Sequence, residues 1–301
     1  MIRHLLAIVT LVGCAAGGDP GGGASALPNP GYAPYETYVP ADAGPSQVIE
    51  SMAANAPMAQ MVHDQVHLLF GHCPDEAPCQ IHQATSPDGV LFSAPVPILE
   101  DPRGVTAPYL ETGPDGTDLW VVLDSGASLA TASYQGDGVG PLQVVLQDGP
   151  YDAPSVVHGP AGRLLFFVRD SRLFRVEYGD GEWGAPEPVM GPCTDEPCWP
   201  GNGVADVEVR RSVSATGRVH YRAAILEAGA TSDAIGFALS TDGRQWSQVE
   251  FNPTVELGRG TYTGLSNLRF GARYLLYFAK GSPLAKIGVA INAAGQLSVD
   301  F

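Results

Sequence analysis

Apolar and polar positions along this chain alternate in short runs, and no long stretch keeps a helical period. Five dense β-forming runs stand out: VHLLFG, DLWVVLD, LLFFVRD, VHYRAAI and YLLYFAK. Each is preceded by a second run, which opens on Ala-Pro in NAPMAQMV, TAPYLET and DAPSVVH and is looser in VADVEVR and TGLSNLRF. Each is followed by a third: IHQATS, LATASY, LFRVEY, IGFALS and IGVAIN. After an Asp-Gly pair comes a fourth: VLFSAPVPI, PLQVVL, WGAPEPVM, QWSQVEF and QLSVDF. Turn-bounded runs rich in β-branched and aromatic residues predict strands. Four strands repeated five times, roughly 45 residues apart, predict an all-β, five-bladed β-propeller with four antiparallel strands per blade. A β-sandwich would also be all strand, but it gives no reason for one turn to recur in each unit.

The recurring turns are Asp88-Gly89, Asp137-Gly138, Asp180-Gly181 and Asp242-Gly243, with Ala294-Gly295 as a worn fifth copy. Glycine accepts positive φ and Asp tolerates it, so each pair predicts a tight hairpin between the third and fourth strands of a blade. The aromatics that follow, Phe92 and Trp246, are expected to pack between blades. Turns after first and third strands share one face of a propeller. Turns after second and fourth strands share the other, where the first strands begin around the channel and ligands are expected.

Composition supports a folded, exported body. Of 301 residues, 45% are hydrophobic and 16% charged, which argues against disorder. Acidic residues outnumber Lys and Arg 32 to 16, for a formal charge of −16, which excludes nucleic acid as a partner. At the N-terminus, MIRHLL supplies positive charge and LLAIVTLVG a short apolar run too brief to span a bilayer. The run ends in LVGC, which resembles the bacterial lipobox and implies cleavage before Cys14 and lipidation of its thiol. The expected organisation is a signal peptide over 1–13, a Gly/Pro-rich tether over 14–45 and the propeller over 46–301. The molecule is expected to be a monomer, anchored to the cell envelope by its lipid. Export permits disulfides, and local closure of CPDEAPC (Cys73, Cys79) and CTDEPC (Cys193, Cys198) is the simplest pairing of the remaining cysteines. Both loops fall on the expected ligand face.

The Ala-Pro strand openings, YDAPSVV, the Ser-x-Asp-Gly hairpins and YLLYFAKGSPLAKIGVAIN together resemble the five-bladed glycosidases of the arabinanase/β-xylosidase family, over about residues 50–301. The hairpins also resemble the Asp-box of sialidases, without the residue that separates Asp from Gly there. The family resemblance implies inverting hydrolysis, with an Asp base in blade one, a pKa-tuning Asp in blade three and a Glu acid in blade four. Inversion needs two carboxylates flanking the sugar, with room for a water. DAPSVV places Asp152 at the blade-three position. In blade one NAPMAQ offers Asn55, which cannot act as a carboxylate base. In blade four the aligned residue is Val204, with Asp206 and Glu208 further along the strand.

Asp152, Glu208 and Asp206 are therefore the candidate catalytic residues. Asn55, Thr106, Arg169, Asp170, Trp199 and Tyr262 are the candidate ligand contacts. The same residues admit structural roles: Asp152 bonding its own turn, and Asp206, Glu208 and Arg210 forming an ionic ladder between blades. His63 and His67 flank the HDQVH hairpin and are not expected to form a metal pair. The Asp-Glu pairs in the cysteine loops offer carboxylates to calcium, but solvated acidic turns account for them, and no cofactor or metal is expected. The preferred reading is an envelope lipoprotein whose propeller face binds glycan with an incomplete catalytic set. The alternatives are an active glycoside hydrolase using Asp152 with Glu208 or Asp206, and a protein-binding envelope scaffold.

Overall fold

The computed structural model describes residues 36–37, 47–49, 52–75, 77–159, 162–192, 200–213, 217–228, 234–248, 255–256, 262–271, 273–281 and 286–291. Two short strands come first, β1 (Glu36–Thr37) and β2 (Gln47–Ile49). Blade one is β3 (Asn55–Val62), β4 (Gln65–His72), β5 (Gln80–Ser86) and β6 (Val96–Glu100). Blade two is β7 (Val105–Gly113), β8 (Gly116–Leu123), β9 (Ser128–Tyr134) and β10 (Gln143–Leu146). Blade three is β11 (Asp152–His158), β12 (Arg163–Arg169) and β13 (Arg172–Gly179), with its outer strand in two pieces, β14 (Glu182–Trp183) and β15 (Glu187–Met190). Blade four repeats that plan with β16 (Val204–Val213), β17 (Val219–Glu227), β18 (Ala234–Ser240), β19 (Ser247–Gln248) and β20 (Val255–Glu256). Blade five supplies β21 (Tyr262–Phe270), β22 (Arg273–Lys280) and β23 (Lys286–Ile291).

Every sheet is antiparallel, and each first strand touches the first strands of both neighbouring blades, with β21 against β3. The ring thus closes into a five-bladed β-propeller, as the repeat predicts. Closure differs from expectation at one place. The outer edge of β23 is occupied by β2, with Gln47 opposite Gly288, and by β1, with Glu36 opposite Ile291. The QLSVDF strand expected there lies outside the described residues, and Glu36–Thr37 pairs from within the segment expected to be tether.

The core is not one central mass. Its apolar side chains form slabs between neighbouring blades: Leu68 and Phe70 with Tyr277 and Leu275, Phe166 with Tyr221 and Val209, and Phe237 with Leu276 and Leu265. Second strands lie between two such slabs, which is why Leu68–Phe70 and Leu164–Val168 are unbroken apolar, buried runs. Outer strands such as β6 and β10 are short and solvent-exposed, an arrangement that discourages edge-to-edge pairing.

Two of the Asp-Gly pairs, in blades one and four, adopt the same loop design, but it is not the two-residue hairpin expected. The Ser86 hydroxyl donates to Asp88 Oδ1 at 2.8 Å, and that oxygen accepts the backbone N–H groups of Val90 and Leu91. Ser240 and Asp242 repeat this with Arg244 and Gln245. The Asp organises the loop through its side chain, and only the Gly takes positive φ, 75° at Gly89 and 73° at Gly243. Asp180-Gly181 does place both residues at positive φ, whereas the 135–138 turn takes positive φ at Gly136 rather than Gly138. Ala294-Gly295 lies outside the described residues. Phe92 meets Tyr277 edge-on across blades one and five, and Trp246 meets Phe166 across blades four and three, as their positions predict.

Candidate functional site

The site grows from a defect repeated around the channel. In blades one, two and three the pairing of first to second strand slips between Asn55 and Met58, Thr106 and Tyr109, and Asp152 and Ser155. At each slip an Ala precedes Pro in the left-handed region, with φ of 44° at Ala56, 46° at Ala107 and 47° at Ala153. Proline has no N–H to give the ladder, so a bulge is the natural place for it. The left-handed Ala costs roughly 1–2 kcal/mol each time. Blade five slips between Tyr262 and Leu265, with Gly264 at φ 157°; there a Cβ would meet Ala56 Cα at 2.5 Å. Blade four slips between Val204 and Asp206 without a proline.

These five bulges surround a cavity of about 210 Å³ at the mouth where the first strands begin. Its walls include Met58, Tyr109, Asp152, Asp206, Glu208 and Tyr262. The Cys73–Cys79 disulfide is formed and lies at the same mouth, where Cys79 accepts a hydrogen bond from the Val105 N–H at the start of β7. Cys193, Cys198 and Trp199 lie outside the described residues, as does Cys14.

Three carboxylates reach this cavity, and their surroundings differ sharply. Asp152 opens onto the cavity and is exposed; one oxygen accepts its neighbour Ala153's N–H at 2.8 Å, and the other makes no hydrogen bond among the described residues. The surrounding cavity walls strip part of its hydration, which raises its carboxyl above the ordinary aspartate value. Asp206 is half-buried, with its oxygens accepting the N–H groups of Val207 at 2.6 Å and Leu265 at 2.9 Å. Burial, reinforced by the charge of Asp152, pushes Asp206 well above the usual carboxylate range. Both carboxyls in this concave site are raised, Asp206 the more strongly.

Glu208 is different in kind. Only 2% of it is exposed; its Oε1 receives Arg210 at 2.5 Å and the Ser266 hydroxyl at 3.3 Å, and its Oε2 receives the Asn267 N–H. With both oxygens engaged across the blade four–blade five boundary, this carboxylate is the rung of an ionic ladder. Almost closed off from the cavity space and held by a guanidinium, it is not placed to reach a glycosidic bond, whereas Asp206 is half-buried and pairs only with backbone N–H groups.

The remaining candidates separate by position. Tyr262 lines the cavity. Asn55 stands in the register of Asp152, but its side chain lies against Gly71 and donates weakly to Cys73 Sγ at 3.9 Å rather than lining the cavity. Thr106 occupies the matching register in blade two and is likewise outside the cavity wall. Arg169 is held at the start of β11, its Nε donating to the Pro150 carbonyl at 3.0 Å and its guanidinium lying over Tyr151, Phe167 and Phe174. Asp170 and Ser171 form the β12–β13 turn with φ of 51° and 57°, and the Ser171 carbonyl accepts the Val204 N–H, so this turn sits at the same mouth. On the opposite face, His67 Nδ1 bonds the Tyr134 hydroxyl at 2.7 Å. Tyr109 was not singled out by sequence; it lines the cavity and donates its hydroxyl to the Val209 carbonyl at 3.1 Å. Its signal is register: it stands in blade two where Ser155 stands in blade three.

Neither a family model nor a curated protein matches the chain. Solved structures do. The catalytic domain of an α-L-arabinofuranosidase of glycoside hydrolase family 62 from Coprinopsis cinerea superposes with a TM-score of 0.63 at 13% identity, covering 86% of this chain and 98% of that one. An α-L-arabinofuranosidase from Podospora anserina, solved with cellotriose, gives 0.60 at 14% identity over 87% and 96%. A glycosyl hydrolase from Bacteroides ovatus gives 0.56 at 14% identity over 81% and 85%. The chain therefore has the glycosidase-like five-bladed propeller fold, as the strand openings and hairpins imply. At such identities the likeness speaks for the fold, and activity has to be argued from the site.

Proposed function

We propose that this chain is an envelope lipoprotein that binds a terminal sugar unit of a glycan at the first-strand mouth and does not turn it over efficiently. The observation that carries this reading is the division among the three carboxylates. Asp152 and Asp206 converge on the cavity, while Glu208, in the strand where the related fold implies an acid, is tied up by Arg210, Ser266 and Asn267. A free Asp152 oxygen beside Tyr262 and Tyr109 supplies what sugar recognition asks for: a hydroxyl acceptor and aromatic walls. The cavity falls below the roughly 300–1,000 Å³ usual for drug-sized ligands, which suits one ring rather than a chain interior. Asn55 at the blade-one register removes the carboxylate that would activate water. General-base assistance contributes about 10²–10⁴-fold, so its loss leaves little turnover.

A second reading has one specific support. Burial first, and the charge of Asp152 second, favour the protonated form of Asp206, as a general acid requires. On that reading Asp206 protonates the leaving oxygen and Asp152 positions water. Titration calorimetry of the full-length protein against arabinose-, xylose- and mannose-terminated oligosaccharides addresses the binding claim. Saturable binding that Asp152→Ala abolishes supports it; absence of binding across the panel favours the protein-scaffold alternative. Anchoring rests on LVGC, and Cys14→Ser is expected to move the protein out of the detergent phase, whereas an unmodified N-terminus in the parent protein would refute lipidation.

A further inference from the structure

We propose that the opposite mouth of the channel is a separate site for a small organic anion, one carrying a carboxylate or phosphate on an apolar or ring-shaped body. The second strand faces of blades four and five and the far ends of β3, β16 and β21 enclose a cavity of about 510 Å³ there. That volume falls within the roughly 300–1,000 Å³ of ordinary small-molecule sites.

Its charge is the first argument. The chain holds only 16 Lys and Arg against 32 Asp and Glu, yet Arg210, Arg211, Arg222 and Arg269 all line this cavity together with His220. No Asp or Glu lines it among the described residues. Arg210 is neutralised by Glu208, but Arg211, Arg222 and Arg269 form no salt bridge among the described residues. Cations gathered on one cavity repel one another, and an oxyanion among them offsets that repulsion. The planar guanidinium fork matches carboxylate and phosphate through paired N–H bonds.

Preorganisation is the second. Arg222 lies over both Phe237 and Tyr274, 5.1 Å from each ring centroid, so its guanidinium is fixed before any ligand arrives. Deeper in, Arg210 Nε is buried without a hydrogen-bond acceptor, a donor that the folded protein leaves unused. Met61, Leu239 and Leu268 add apolar lining to the same cavity, which is why a body beyond the oxyanion is expected.

Strand β16 runs between the two mouths, carrying Asp206 and Glu208 toward one and Arg210 and Ser212 toward the other. The channel therefore carries carboxylates at the mouth where the first strands begin and arginines at this end. With a formal charge of −16 around it, the basic mouth disfavours polyanions and admits a ligand of one or two negative charges.

The test is calorimetric titration of the full-length protein with benzoate, phenyl phosphate and the neutral control benzamide. Saturable one-to-one binding of benzoate or phenyl phosphate, weakened roughly ten-fold or more by Arg222→Gln and by Arg269→Gln and unchanged by Arg103→Gln on the surface, is the expected result. Which probe binds tells carboxylate from phosphate. Melting curves show whether Arg222→Gln has folded; if it has not, exposed Arg269 decides the matter. Benzamide binding as tightly as the anions, anion binding indifferent to Arg269→Gln, or no binding up to about 10 mM overturns the proposal.

Discussion

Glu208 and Arg210 sit two residues apart on one strand, and the fate of Glu208 separates structure from chemistry. A catalytic acid replaced by its amide leaves the fold intact and removes activity. A carboxylate that neutralises a neighbouring guanidinium and accepts two further hydrogen bonds in a nearly closed space should instead be needed for stability. Removing Glu208 leaves Arg210 partly solvated but unpaired and strands the Asn267 N–H, so Glu208→Ala is expected to destabilise the protein by roughly 1–3 kcal/mol in chemical denaturation. A change close to zero would return Glu208 to the list of candidate acids. Asp206 makes a prediction of opposite character. Because burial and Asp152 raise its carboxyl, the folded protein retains a proton that the unfolded chain releases. Stability from this group is therefore complete below the ordinary aspartate value and declines as pH rises through the raised one. Asp88 behaves in reverse: the Leu91 N–H, with Val90 and Ser86, holds its carboxyl low, and its contribution is lost only as pH falls through that depressed value. Asp152→Asn should flatten the decline on the neutral side of a plot of melting temperature against pH while leaving the acid limb unchanged. An unaltered profile would mean that the two aspartates do not sense each other.

Blades, as elements, were legible because each carries its own punctuation. The continuous apolar second strands, the Ala-Pro openings and the aromatics after Asp-Gly each answer to a packing demand that local sequence expresses. Less legible was the meaning of the Asp-Gly pair itself. Positive φ at Gly89 and Gly243 follows from composition, whereas the role of Asp88 and Asp242 as acceptors for two backbone N–H groups depends on the loop's path. The bulges beneath Ala56, Ala107 and Ala153 were visible only as a repeated dipeptide, since a register slip is a property of two strands. At Gly243 a Cβ would meet Phe166 Cζ of blade three at 3.1 Å and would have to sit at an unfavourable φ of 73°. Gly243→Val is expected to cost roughly 1–3 kcal/mol, with ligand binding retained in whatever fraction folds. Loss of binding in a fully folded variant would place the functional face on the wrong side of the ring.

At the scale of the molecule, closure is a pairing between distant parts of the chain. β2 and β1 complete blade five against β23, an arrangement that sequence pattern did not disclose because the two strands are very short and lie amid Gly- and Pro-rich residues. Deleting residues 14–50 should leave β23 with an open edge and lower the melting temperature, whereas deleting 14–35 should preserve both pairings and the stability of the parent. Equal stability of the two truncations would show that the ring does not depend on this pairing. The candidate site was partly legible for a related reason. Asp152, Asp206 and Tyr262 follow from strand register, but the capture of Glu208 and the turning of Asn55 toward Cys73 involve partners 58 and 18 residues away, beyond what a single strand can signal.

The central claim, a glycosidase-like propeller that binds sugar without the means to cleave it, is tested most directly by turnover of aryl-glycoside and oligosaccharide substrates by wild type and Asp152→Ala in parallel. The account predicts saturable binding by wild type, its loss in Asp152→Ala, and negligible hydrolysis by either. Robust hydrolysis by wild type that Asp152→Ala abolishes would contradict it and establish the Asp152–Asp206 pair as catalytic.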